Sequence, residues 1–187
     1  MEDDDRGENV SVRAGTDLML RPIVRFGAAG LHATAAPVTD FGASLQTLID
    51  DMIDTMYAAP GIGLAATQVG VPLRVCVIDL SIGKRGGELL ALVNPEFVAR
   101  DGVQIEEEGC LSVPGFNATV ARPAKVVVNA ADRHGAVRTI EGTGLLARAL
   151  QHEIDHLDGL LFLDRLRGIK RDLIVRKVRK LQRAGRW

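Results

Sequence analysis

Cysteine is scarce in this chain. Cys76 and Cys110 are the only two in 187 residues, and their spacing suggests no disulfide framework, which points to a reducing compartment. Excess charge of either sign is also missing. The 23 basic and 24 acidic residues leave a formal net charge of −1, so there is no overall pull toward nucleic acid or membrane. No apolar run reaches the ~18 residues that a membrane span needs. The opening Met1-Glu-Asp-Asp-Asp-Arg6 is acidic, unlike a secretory signal or an Arg-rich transit peptide. Together these absences predict a cytoplasmic protein with neither a membrane nor DNA as partner. What is present, 47% apolar and 25% charged residues, suffices for one unaided core.

Charge is unevenly placed along the chain. Glu2, Asp3, Asp4, Asp5 and Glu8 make the start acidic and apolar-poor, which predicts a disordered extension over 1–15. The remainder, 16–187, reads as one domain. From Arg165 onward there are ten basic residues against one acid, Asp172. Leu173, Ile174, Val178 and Leu181 recur among them at helical spacing, predicting a basic amphipathic helix over about 166–183. Such a helix either packs one stripe on the core or docks on a polyanion.

Leu45, Leu48, Ile49, Met52, Ile53 and Met56 follow an i, i+3, i+4 rule and predict a helix over about 44–58, stopped by Pro60-Gly-Ile-Gly63. Strands are expected at Leu73–Leu80 and Leu89–Val93, the second closed by Pro95. Lys125–Ala131 and Ala136–Ile140 flank a turn containing Gly135. Thr143 or Gly144 opens a helix through Leu157, ended by Asp158-Gly159. This order of elements predicts an α+β domain.

The sharpest chemical signal is Gln151-His-Glu-Ile-Asp-His156. Residues four apart share a helix face, so His152 and His156 can bind one metal ion together. Glu153 can then reach a water on that ion as general acid/base. An HExxH motif usually finds a third ligand downstream, yet no histidine or glutamate follows His156. An upstream ligand is therefore expected, and the candidate is Cys110, preceded by Gly109 and three glutamates. Cys76, inside Val75-Cys-Val-Ile78, reads instead as an inert core thiol.

Three segments, Gly61-Ile-Gly-Leu-Ala-Ala-Thr-Gln68, Glu108-Gly-Cys-Leu-Ser112 and His152-Glu-Ile-Asp-His156, together resemble the peptide deformylase family in order and separation. The likeness runs from about Leu20 to Leu181. It implies a single α+β domain of mixed and antiparallel sheets around the HExxH helix. It also implies hydrolysis of the formyl group from the N-formylmethionine of nascent chains, with release of formate. The implied cofactor is one divalent ion, Fe2+ natively, with Zn2+, Ni2+ or Co2+ able to substitute.

Carried over by that resemblance, Cys110, His152 and His156 are the metal ligands and Glu153 moves the proton. The Gln68 side-chain amide and the Leu111 backbone N–H stabilise the oxyanion. Ile62 and Gly63 form one wall of the substrate cleft, and Leu145 and Ala149 line the methionine pocket. Arg148 is expected to snorkel outward from that pocket. Arg122 is expected to pair with Glu108 or Asp155, holding the ligand loop against the metal helix. Pro60 and Asn117 stand where some relatives carry an acid and an arginine. Nascent chains as substrate give the basic helix a specific polyanion, ribosomal RNA. Two other readings stay open at this point: a zincin-type peptidase with an unidentified downstream ligand, and a catalytically silent or structural metal-binding relative.

Overall fold

The computed structural model describes residues 19–86 and 88–187; the acidic stretch 1–15 lies outside the described residues. The strands are β1 (Gly63–Ala65), β2 (Val75–Ile78), β3 (Leu90–Asp101), β4 (Gln104–Gly109), β5 (Asn117–Arg122), β6 (Lys125–Ala131) and β7 (Val137–Thr143). The helices are α1 (Ala43–Ala58), α2 (Gly144–Leu157), the single turn α3 (Phe162–Arg165) and α4 (Ile169–Arg183). A five-stranded sheet runs in the order β1-β2-β3-β6-β7, and β4 pairs with β5 in a separate ribbon. Every strand pairing is antiparallel. The α+β expectation therefore holds.

Strand β2 shows how the layers assemble. Its four residues are all buried, because the sheet is covered on both faces. Val75 and Val77 face the α1 side, packing with Ile49, Met52 and Met56. Cys76 and Ile78 face the α2 side with Leu150, Ile154 and Leu157, so Cys76 is the core thiol its neighbours suggested. The same alternation sends Leu64 toward α1 and Ala65 toward α2. Burying both faces places α2, and with it the HExxH face, in the middle of the domain.

The first helix and the hairpin fall close to expectation, with Gly135 taking φ +90° in the turn. Two boundaries require correction. Strand β3 does not stop before Pro95 but runs to Asp101. Its pairing with β6 shifts register between Val93 and Glu96, and Asn94 sits at φ +51°. Proline, which has no N–H to give, is thus accommodated at a bulge. The basic helix begins at Ile169 rather than about 166, because Gly168 at φ +67° separates it from α3. Only Val178 of α4 is buried, and Leu173 is half exposed. The tail still docks: Trp187 Nε1 donates to the Phe26 carbonyl at 2.9 Å.

The β4–β5 ribbon was not anticipated. Glu106, Glu107 and Glu108 are poor strand formers, yet the ribbon stands apart from the main sheet. Glu106 and Glu107 project to solvent while Glu108 turns inward.

Candidate active site

Three structural units meet in a cleft of about 450 Å³. The first is the segment after α1. Gly61 and Gly63 are needed there for close approach, not for positive φ. A Cβ on Gly61 would come 2.9 Å from Leu111 Cδ1, and one on Gly63 would collide with the Glu153 carboxylate. A short turn, 66–69, then presents Gln68. Its Oε1 accepts from the Ala65 N–H at 2.9 Å, which fixes the amide and turns Nε2 toward the cleft. That nitrogen donates to Ser112 Oγ at 3.2 Å and lies 3.5 Å from Cys110 Sγ.

The second unit is the turn after β4, which carries Cys110 and Leu111. An N-terminal segment braces it together with the glutamine turn: Val24 N–H donates to the Gln68 carbonyl and Phe26 N–H to the Ser112 carbonyl, each at 2.8 Å. The third is α2. His156 Nε2 lies 3.2 Å from His152 Nε2 and 3.2 Å from Cys110 Sγ, and the three donor atoms lie within 4.8 Å of one another. Ligand bonds of 2.0–2.3 Å in a tetrahedron give donor–donor edges of roughly 3.3–3.6 Å. The donor set and its spacing therefore fit one divalent cation.

Beside these donors, Glu153 is 4% exposed and its Oε2 has no hydrogen-bond partner. Burial is the main influence on this carboxyl and raises its pKa to about 7, with Glu108 and Asp155 adding to the rise and His152 and Arg122 opposing it. Glu108 is also buried, but hydrogen bonds from His152 and Arg122 overcome the burial and hold it at about 2. A carboxyl poised near neutrality next to one kept ionised is a division of labour seen in acid–base catalysis.

Arg122 pairs with both expected partners, Glu108 and Asp155, rather than one. Arg165 adds a second cation to Asp155, a role sequence reasoning missed. Ile62, Gly63 and Leu111 line one side of the cleft, and Leu145, Ala149 and His152 line the other. Leu145 is half exposed at the rim while Ala149 is buried. The snorkelling expected of Arg148 is not found. Arg148 is buried, and its guanidinium donates to Glu108 Oε1 at 3.2 Å and Gln104 Oε1 at 2.9 Å. Its partner Gln104 lies on the unanticipated ribbon, so no local pattern could have revealed the contact. Asn117 donates to Glu107 at 3.1 Å. Ser112, left without a role in the sequence, is fully buried and receives the Gln68 amide.

A thiol, two imidazoles and a buried, unpartnered carboxylate in one cleft define the site of a mononuclear metallohydrolase. The comparisons narrow this class. A sequence model of the polypeptide deformylase family matches residues 20–172. The peptide deformylase of Acidobacterium capsulatum is 50% identical over 170 residues, covering 91% of this chain and 100% of that protein. A peptide deformylase of Xylella fastidiosa is 48% identical over 169 residues, covering 89% and 98%. Among solved structures, a peptide deformylase from Legionella pneumophila superposes with a TM-score of 0.83 at 51% identity, over 89% of this chain and 97% of that one. The Ehrlichia chaffeensis enzyme in complex with actinonin gives 0.81 at 39% identity, over 88% and 98%. The chain belongs to the polypeptide deformylase family, and its activity is removal of the N-terminal formyl group from newly made proteins.

Proposed function

We propose that Cys110, His152 and His156 hold a divalent ion and that Glu153, Gln68 and Leu111 perform the deformylation of N-formylmethionyl peptides around it. The observation that carries this reading is the convergence of Sγ and two Nε2 atoms beside the unpartnered Oε2 of Glu153. A bound divalent ion supplies a Lewis acid and lowers the pKa of water toward ~7. Glu153 Oε2 takes a proton from the attacking water and delivers it to the departing amine. The C–N bond breaks, formate leaves and the peptide gains a free N-terminus. Gln68 Nε2 and the Leu111 N–H donate to the oxygen that gains charge, each worth ~10²–10³ in rate. Ile62 and Gly63 form one wall of the substrate cleft, and Leu145 and Ala149 line the pocket for the methionine side chain. Glu108, Arg122 and Asp155 fix the His152 ring from behind.

One thiolate and two imidazoles suit zinc on softness and geometry; Fe2+ as native ion rests on family likeness, with Ni2+ and Co2+ as substitutes. The catalytic unit spans 16–187 and works in the cytoplasm. Among the described residues no helix is long and apolar enough to cross a membrane. The experiment is formate release from formyl-Met-Ala-Ser by anaerobically prepared, iron-loaded protein. Turnover lost in Glu153→Gln with metal retained is the expected result; turnover unchanged in that variant overturns the assignment.

The ribosome is the partner proposed for α4, supported by the ten basic residues against one acid from Arg165 onward, seven of them on α4 itself, and by the single side chain, Val178, that α4 buries. Lys177, Arg179 and Lys180 are exposed. Replacing all three by glutamate is expected to weaken ribosome co-sedimentation while short formyl peptides are still hydrolysed. Unchanged co-sedimentation assigns α4 to packing alone.

A further inference from the structure

The cleft carries a guanidinium where a thioether pocket needs only apolar surface. Arg148 lies on α2 one turn before His152 and lines the cleft beside Leu145 and Ala149. It is held there by Glu108 and Gln104. Glu108, for its part, is already gripped by two of the three Arg122 guanidinium nitrogens and by His152, so Arg148 is not required to neutralise it. A guanidinium offers five N–H donors. Two of those on Arg148 are engaged, and the others, the Nε–H included, have no partner among the described residues.

That arrangement has a consequence once a side chain fills the cleft. The occupant displaces water from the free donors, and an occupant without an acceptor leaves them unsatisfied, which is unfavourable for a charged group. Methionine sulfur is a weak acceptor. Adding one oxygen to it gives the sulfoxide, a polar group with a strong acceptor on nearly the same skeleton. A wholly aliphatic pocket rejects an added polar group by roughly 10²-fold; a fixed cation with free donors removes the reason for rejection.

We propose that Arg148 is a specificity-determining residue that admits N-formylmethionine sulfoxide as a substrate alongside N-formylmethionine, its free N–H groups donating to the S=O oxygen. This rests on the deformylase reading of the cleft. The reaction itself is unchanged: water adds at the formyl carbon, the C–N bond breaks, formate departs, and the oxidised side chain emerges with its oxygen still attached.

The test compares kcat/KM for formyl-Met-Ala-Ser and formyl-Met(O)-Ala-Ser in the iron-loaded wild type and in Arg148→Leu. In the wild type the two values are expected to lie within about 10-fold, and in the variant the ratio is expected to widen by at least about 10-fold. A ratio, unlike an absolute rate, does not move through general loss of folded enzyme. Wild-type discrimination of ~10² or more overturns the proposal, and so does a small ratio that Arg148→Leu leaves unaltered. Should the leucine variant fail to fold, Arg148→Met, which keeps an unbranched side chain without the N–H donors, makes the same comparison. Absence of turnover with the unoxidised peptide instead overturns the underlying deformylase reading, and the proposal with it.

Discussion

Arg122 donates to both carboxylate oxygens of Glu108, from Nε at 2.6 Å and from Nη2 at 2.9 Å. Its remaining arm, Nη1, reaches Asp155 at 2.8 Å, and Glu108 Oε2 lies 3.2 Å from His152 Nδ1. The bidentate pair ties β4 to β5, and its two outward contacts, to Asp155 and to His152, join that ribbon to the helix carrying both histidines. With Nδ1 turned to Glu108, His152 presents Nε2 to the other two donors.

Removing that arginine takes one of two arginine partners from each of two buried carboxylates, Glu108 keeping Arg148 and Asp155 keeping Arg165. Arg122→Ala is expected to cost ~3–5 kcal/mol of stability and ~10–100-fold in metal affinity. Urea unfolding and metal titration by chelator competition measure the two effects. Unchanged metal retention would remove the proposed link between Arg122 and the histidine.

Gly63 is occupied on its open side by the Glu153 carboxylate. Gly63→Ala should force that carboxylate aside while leaving the three donor atoms in place. The expected result is kcat reduced by about 10²-fold with metal content intact. An active Gly63→Ala enzyme would show that Glu153 works from another rotamer.

Gln68 is held by the Ala65 N–H, so its amide is aimed before any substrate arrives. Gln68→Ala is expected to lower kcat by ~10²–10³-fold with a much smaller change in KM. A change confined to KM would make it a binding residue instead.

Away from the cleft, Asp79 ties down the turn after β2. Burial would raise its pKa, but hydrogen bonds from Tyr57, Ser81 and the Gly83 N–H hold it at about 2, against 3.8 for a free carboxyl. A depressed carboxylate contributes stability that is complete above about pH 4 and is lost as pH falls toward 2. Burial, reinforced by Asp79, raises the Tyr57 hydroxyl from 10.0 to about 12. That contribution is complete below pH 10 and is lost as pH rises toward 12. The stability gap between wild type and Asp79→Asn, followed by urea unfolding, should thus be widest between about pH 4 and 10 and narrow on both sides. A gap independent of pH would show that the pair does not set either limb.

Some of this protein is written locally. The spacing of His152 and His156 places both rings on one helix face whatever surrounds it. The apolar periodicity of Leu45 to Met56 yields α1 to within a residue or so, and glycine supplies the backbone of the Gly135 turn. The fold class followed from the order of such segments.

Other features depend on atoms far apart in the chain. Pro95 reads as a strand end, but pairing with β6 supplies a bulge that tolerates it. The glutamates of β4 read as loop, since strand pairing is settled by a partner strand and not by their own preferences. Arg148 reads as a side chain seeking water, because its charge is visible in the sequence while Gln104, 44 residues away, is not. Local sequence determined which groups could do chemistry. Only tertiary structure decided what each group faces, because burial and pairing set a carboxylate's proton affinity or a guanidinium's position, and both are properties of neighbours brought together by the fold.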